Sequence, residues 1–224
     1  MAPLASQQWG FRQRRSTVSA LLDATFNWAQ AIDGGNEVCA IFFDLRKAFD
    51  SVPHRMLIEK LRKIGLNEHL VQWIFSYLYE CKQYVVLAGE QSTIKPVLSG
   101  VPQGSVLGPL LFILYVDDLA DELVDCGTSF TLYADDILLH RVIDDPSDYS
   151  ALQDDISTLS NWVLKKNLTL NPSKCKFLVI SKLRKNSVPV PTLTLYDQPL
   201  ERVSSYRYLG VNISEDLTWS THLN

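Results

Sequence analysis

Two adjacent acids, Asp135 and Asp136, lie inside SFTLYADDILLH, between segments built largely of apolar, aromatic and β-branched residues. The two halves read as strand, tight turn, strand, which puts the acids at the bend of a hairpin. A surface helix carries such a pair at no cost. A buried hairpin does not, unless something cationic meets the carboxylates. The alternative is a solvent-exposed turn, where Asp is at home.

A second run bears on that choice. VCAIFFD, from Val38 to Asp44, is a continuous apolar stretch that reads as a strand buried on both faces, and it too ends in an acid. If the two strands are neighbours in one sheet, Asp44, Asp135 and Asp136 converge. Unpaired, they repel and take up protons. Two hard divalent cations such as Mg²⁺ remove the penalty, because they accept oxygen ligands and bring balancing charge. Ions about 4 Å apart are the machinery of in-line phosphoryl or nucleotidyl transfer. The other acid pairs have plainer readings. Asp154-Asp155 falls in an amphipathic helix, Asp144-Asp145 in a polar loop before Pro146, and Asp117-Asp118 at the end of the run begun at Pro109.

Ser16 caps a helix whose apolar positions include Val18, Leu21, Leu22, Ala29 and Ile32, and Gly34-Gly35 stops it. Pro53 opens a helix with Leu57, Leu61 and Ile64 on one side, closed by Gly65. Another follows Asn67, with Leu70, Val71, Ile74, Tyr77 and Leu78. QYVVLAGEQSTIKPVLSG reads as two strands around AGEQ, and Pro109 is placed as the first residue of a helix. Residues 147–166 form an amphipathic helix, KCKFLVIS a strand, and PTLTLYDQPL with YRYLGVNI further strands. The order strand, helices, hairpin, helix, strand predicts an α+β fold of the ferredoxin-like split βαβ kind. Its antiparallel sheet is backed by helices on one face, and its other face is open to a long ligand. With no internal repeat or low-complexity linker, one continuous domain is expected.

A net charge of -4 argues against a chain that grips phosphates over its whole surface. The basic clusters Arg12, Arg14 and Arg15, Lys165 and Lys166, and Lys182, Arg184 and Lys185 read by default as solvated faces. Cys39, Cys81, Cys126 and Cys175 are scattered without a CxxC pair. They read as free thiols of a reducing compartment, hence an intracellular chain of nucleus or cytoplasm, and not as a zinc site. The longest apolar run, near Pro109 to Val116, is too short to cross a bilayer, and no membrane partner is expected. His54, His69, His140 and His222 form no HxH or HExxH pattern, which weighs against a metal-dependent hydrolase.

FDLRKAFDSVPH, SGVPQGSVLGPLLF, YADD, LNPSKCKFL and YLGV, in this order, resemble the reverse transcriptase domain of non-LTR (LINE-like) retrotransposons. The upstream QQWGFRQRRSTVSAL is similar to that family's QxGFRxxxST segment. YxDD alone is a weak signal, but five ordered motifs from about Gln8 to Asn224 are a strong one. The resemblance implies a polymerase palm that makes DNA on an RNA template. Its partners are then an RNA template, a DNA primer and deoxynucleoside triphosphates, and its cofactor two Mg²⁺ ions with Mn²⁺ as a substitute. It implies Asp44, Asp135 and Asp136 as metal ligands, with the Leu45 carbonyl as a further ligand. Phe49 stands where the family places an aromatic ring against a 2′-hydroxyl. Lys47 and Ala48 match backbone amides that face the triphosphate. Gln103 and Gly104 match the loop against the incoming nucleotide and template, and Lys174 a lysine that assists pyrophosphate departure as an acid. Tyr208, Leu209 and Gly210 resemble a primer-grip hairpin, and Arg12 and Tyr133 fall near primer or template. Read from the residues alone, Phe49 is a core ring, Gln103-Gly104 a turn, Lys174 a solvated lysine, Tyr208 to Gly210 a strand and turn, and Arg12 an exposed basic arm.

The family's earlier fingers motifs, thumb and endonuclease have no counterpart here. Residues 1–36 are therefore expected to be a partial fingers segment, and 37–224 a palm with a fingers insertion and primer-grip-like strands. The remaining fingers and thumb would come from another chain, or the chain is a truncated copy. Two other readings stay open: an RNA-directed RNA polymerase, which shares the palm carboxylates, and an inactive remnant that binds nucleic acid weakly.

Overall fold

A computed structural model describes residues 4–123, 127–182 and 188–218; Cys126, Arg184, Lys185 and His222 lie outside these described residues. The first helix, α1 (Thr17–Asp33), opens on a reciprocal cap in which Ser16 and Ser19 each accept from the other's backbone N–H, and it closes at Gly34. Its buried stripe is Ala20, Ala24, Trp28 and Ile32, while Val18 and Leu22, expected inside, are exposed together with Phe26. The two apolar stripes interleave along the helix. The one with small alanines lets the backbone come close to the sheet, and Trp28 fills the space that remains.

Next comes β1 (Glu37–Asp44), then α2 (Ala48–Ser51), α3 (His54–Lys63) and α4 (Glu68–Tyr79). An exposed tongue follows, in which β2 (Lys82–Gln83) pairs with β5 (Lys95–Pro96), and β3 (Val86–Leu87) with β4 (Glu90–Gln91), so one pair nests in the other. Helix α5 (Leu107–Val116) begins two residues before Pro109. The proline is thus third rather than first, still inside the first turn, where its missing N–H leaves no helix bond unmade. After α6 (Leu119–Glu122) come the hairpin strands β6 (Ser129–Tyr133) and β7 (Asp136–Ile143), then α7 (Pro146–Lys165) and β8 (Lys176–Ile180). The chain goes on through β9 (Thr194–Leu195), β10 (Gln198–Pro199), β11 (Glu201–Arg202), β12 (Ser205–Tyr208) and β13 (Val211–Ser214).

The main sheet has the order β11-β8-β1-β7-β6, antiparallel except where β11 runs parallel to β8. Two split βαβ crossovers interlock: β1 leads through helices to β6 with β7 between them, and β7 leads through α7 to β8 with β1 between them. Residues 7–9 lengthen the sheet beyond β6, with Gln8 bridged in parallel to Leu132.

Alternate residues of β1 explain both of its faces. Cys39, Ile41 and Phe43 join the larger core with α3, α4, α5 and α7. Val38, Ala40 and Phe42 meet Trp28 and Ile32 of α1 and Tyr208 and Ile213 of the last hairpin. The face expected to be open is therefore partly covered, as a strand apolar on both sides requires.

The Asp117-Asp118 pair also does more than end a helix. Lys60 lies 3.0 Å from Asp118, Lys166 pairs with the same carboxylate, and Trp162 Nε1 donates to it at 3.3 Å. Lys166, read as part of a solvated face, is thus half-buried, tying the end of α7 to α3. Among the described residues, no helix is long and apolar enough to cross a membrane.

Candidate active site

The acids meet at one end of the sheet because of strand register. Asp44 is the last residue of β1 and pairs directly with Asp136, the first of β7, which also pairs with Tyr133 at the end of β6. Asp135 and Ala134 form the two-residue loop between them. Ala134 has φ 57°, a left-handed conformation that costs an L-residue about 1 kcal/mol and that tight hairpins demand.

Around Asp44 the backbone is fixed. Its carbonyl accepts from Asn171 N at 2.8 Å and its N–H faces the Cys175 sulfur at 3.5 Å. The same loop delivers Lys174, whose Nζ lies 3.4 Å from the Asp44 carboxylate. Leu45 is buried and bridged to Leu170.

The carboxylates register one another electrically. Burial, then the charges of Asp135 and Asp44, push the Asp136 pKa up to about 6, although its outer side is open to water. Burial and the Asp44 charge raise Asp135 as well. Tyr206, pushed up to about 12 chiefly by burial, also feels Asp136 and Asp44. This is a concentration of negative charge with hard oxygen donors, met on the Asp44 side by Lys174. Among the described residues no group of three or more His, Cys, Asp or Glu side chains is already closed around a metal position. Mg²⁺ typically takes one or two carboxylates and completes its octahedron with water and substrate phosphates, so the donor set fits an ion whose site the substrate finishes.

The residues around the acids form two groups. Phe49 stacks on Phe112 of α5, with ring centroids 4.6 Å apart and planes at 20°. Lys47 is exposed with φ 48°, and Ala48 is buried behind it. Residues 99–103 are stitched onto this segment: Val101 N donates to Phe49 O at 2.7 Å, and Gln103 Nε2 to Asp50 Oδ1 at 2.9 Å. Gly100 has φ 92°, and a Cβ on it would lie 2.7 Å from Asp50 Cα, so a side chain has no room there. Gly104 follows in the open with φ 77°.

On the other side stands the β12–β13 hairpin. Tyr206 stacks on Phe42 at 4.1 Å between centroids and Tyr208 leans on the same ring, while Leu209 and Gly210 make the turn at φ 46° and 87°. Phe42 and Asp44 share a face of β1, so this hairpin borders the acids.

Arg12 is directed elsewhere, its guanidinium donating to the carbonyls of Ala5 and Gln8 at 2.5 and 3.2 Å. Gln8 and Asp50 join the surroundings of the acids from inside the QQWGFRQRRSTVSAL and FDLRKAFDSVPH segments, and Tyr206 from the strand that leads into YLGV, though none of the three stands out as a site residue in the sequence. Their roles follow from contacts between distant parts of the chain.

Residues 1–213 match the family described as "Reverse transcriptase (RNA-dependent DNA polymerase)". An RNA-directed DNA polymerase from the mobile element jockey of Drosophila funebris is 30% identical over 96% of this chain. A probable RNA-directed DNA polymerase from transposon BS of Drosophila melanogaster is 32% identical over 98% of it. The chain spans 24% and 25% of the lengths of these two relatives. Among solved structures, an apo telomerase from Candida tropicalis, truncated from its C-terminal domain, superposes with a TM-score of 0.64 at 16% identity. That overlap covers 96% of this chain and 40% of the telomerase chain, and it speaks to the fold alone. With the family matched over nearly its whole length and a split βαβ sheet that gathers the YADD acids beside Asp44, this chain belongs to the reverse transcriptases.

Proposed function

We propose that this chain is the palm of an RNA-directed DNA polymerase that adds deoxynucleotides to a primer 3′-hydroxyl, with Asp44, Asp135 and Asp136 as the holders of two divalent cations. The observation that carries the reading is the direct pairing of Asp44 with Asp136 beside the YADD turn. Like charges set opposite each other are destabilising, and the Asp136 pKa, raised first by burial and then by the Asp135 and Asp44 charges, carries part of that cost. Such an arrangement makes sense around a cation. Two bound ions would supply the charge that eases deprotonation of the primer hydroxyl and stabilises departing pyrophosphate.

The chain's own residues supply orientation. Lys174, 3.4 Å from the Asp44 carboxylate, would donate a proton to a leaving phosphate. The Phe49 ring, braced by Phe112, presents a rigid wall where a ribose 2′-hydroxyl would collide. The Asp50–Gln103 bond holds the nucleotide-side loop, and the β12–β13 hairpin lies where a primer end would rest. In this reading residues 1–36 are a partial fingers segment, and 37–224 the palm with a fingers insertion and primer-grip-like strands.

The test is primer extension on poly(rA)/oligo(dT) with Mg²⁺ or Mn²⁺, wild type against Asp135→Asn. Extension that falls on the order of 10²- to 10³-fold in the variant is expected, the loss of several kcal/mol of charge stabilisation. No extension by either chain, with weak binding of the template retained, would favour the remnant reading instead.

A further inference from the structure

We infer that Gln8 is a positioning residue for the acid-bearing turn: its side-chain carbonyl holds the backbone at Ala134 and thereby sets where Asp135 stands. The inference rests on the cation-holding role proposed for Asp135.

Gln8 is completely buried, unusual for an amide side chain. Its Oε1 accepts from Ala134 N at 3.2 Å and from Gly10 N at 2.9 Å. The Ala134 N–H sits in the two-residue loop, outside the β6–β7 ladder, and Ala134 is itself buried, so this donor needs an acceptor from elsewhere in the chain. Gln8 provides one.

The arm that carries Gln8 is fixed to the same strand. Trp9 N donates to Leu132 O at 2.7 Å, and Leu132 N to Gln7 O at 2.9 Å. The arm also touches the turn itself. A Cβ on Gly10 would lie 2.5 Å from Ala134 N and 3.1 Å from the Tyr133 carbonyl carbon, so glycine there allows the close approach. The turn needs such support, because alanine in a left-handed conformation gains nothing that glycine or asparagine would supply at that position.

The other half of the amide sharpens the point. Gln8 Nε2 is buried with no hydrogen-bond partner among the described residues. If the side chain only filled space, leucine or methionine would do so without burying an unmatched donor. The acceptor half explains why an amide stands here.

Two measurements on the full chain, made without nucleic acid, test this. One is hydrogen exchange at the Ala134 and Gly10 amides, and the other is titration with Mn²⁺ alone. Gln8→Met keeps the volume and removes the acceptor. It should speed Ala134 exchange at least about tenfold while Val38 to Phe43 stay protected, and weaken Mn²⁺ binding at least about fivefold. Gln8→Glu keeps an acceptor oxygen and should restore the protection of Ala134. Should Gln8→Met not fold, Gln8→Asn, one methylene shorter, is read in the same way. Unchanged Ala134 exchange, or unchanged Mn²⁺ affinity in the presence of faster exchange, overturns the inference. The failure of the polymerase reading looks different: wild type and Asp135→Asn would then bind Mn²⁺ equally, whatever Gln8 does.

Discussion

Asp44 and Asp136 face each other as a directly paired couple across β1 and β7, two carboxylates where a sheet would ordinarily place complementary or apolar partners. In the metal-free chain this pairing costs stability. The Asp136 pKa is raised by burial, Asp135 and Asp44 to about 6, above its ordinary value of 3.8. Between those values the folded chain binds more protons than the unfolded one, so stability falls as pH rises, and the cost of the buried and crowded charge is fully present above about pH 6. Water on the open side of Asp136 screens it to ~1 kcal/mol. Asp136→Asn in EDTA at pH 7.5 should therefore raise the melting temperature by about 2–4 °C. With the cation-holding role proposed for Asp136, Mg²⁺ should stabilise the wild type and not the variant. Scanning fluorimetry over pH, with and without Mg²⁺, checks both; an equal or lower melting point in EDTA would refute the repulsion argument.

Phe49 is held face to face by Phe112, so its ring is a fixed wall rather than a mobile one. Phe49→Ala should relax discrimination against ribonucleotides by about tenfold or more, a change of at least ~1.4 kcal/mol in relative transition-state binding. Loss of the stacked contact from a half-buried site should cost ~2 kcal/mol of stability. The ratio of ribonucleotide to deoxynucleotide incorporation decides the first point. A ratio equal to wild type would remove Phe49 from the role of a gate.

Two glycines of one loop should respond unequally. A methyl on Gly100 would meet the Asp50 and Phe49 backbone at 2.7–2.8 Å, whereas one on Gly104 meets nothing within 4 Å. Both have positive φ, so both substitutions pay the backbone strain of ~1 kcal/mol, but Gly100→Ala adds a clash with main chain that cannot rotate away. Urea denaturation should show a loss of ~3 kcal/mol or more for Gly100→Ala and ~1 kcal/mol for Gly104→Ala. Equal losses would mean that the 99–103 loop is not seated on the Phe49 segment.

Asp118 is the shared ion-pair partner of Lys60 and Lys166. Burial alone would raise its pKa, but hydrogen bonds and charge from Lys166 and Lys60 outweigh burial and hold it below the ordinary carboxylate range. A depressed acid contributes stability above its unfolded pKa and loses it as pH falls through the folded one. Asp118→Asn should then cost ~2–3 kcal/mol at pH 7, because Lys60 and Lys166 are left half-buried without their counter-charge. Its acid-unfolding limb should be flatter than that of the wild type. A variant as stable as wild type at pH 7 would contradict this.

The legible parts of this fold were those in which one pattern had one outcome. The unbroken apolar run of β1 reads as a central strand and is one, and the apolar halves around Asp135 and Asp136 form the hairpin their pattern suggests, with β7 pairing to β1 as well. On α1 two apolar stripes compete. Burial went to Ala20, Ala24, Trp28 and Ile32 because close approach, not side-chain size, sets helix-on-sheet contact, and hydrophobicity alone does not report that. Lys166 looks the same in sequence as Lys165, yet one meets Asp118 in a half-buried network while the other reaches Glu122 at the surface. The site was legible as acids and motifs but not as supports. Gln8 meeting Ala134, and Asp50 meeting Gln103, join segments that only the folded chain brings together.

The central place of β1 has a consequence for biosynthesis. Val38 pairs with Val142 on one side and Ile180 on the other, so this strand leaves the ribosome long before either neighbour has been translated. Until they arrive, its six consecutive buried positions from Val38 to Phe43 are a sticky ribbon with both edges bare. Non-local pairing of this kind is slow, and nascent chains waiting on it are natural clients of chaperones. Yield in a cell should therefore depend more on the pace of translation and on holdase supply than on the stability of the finished sheet.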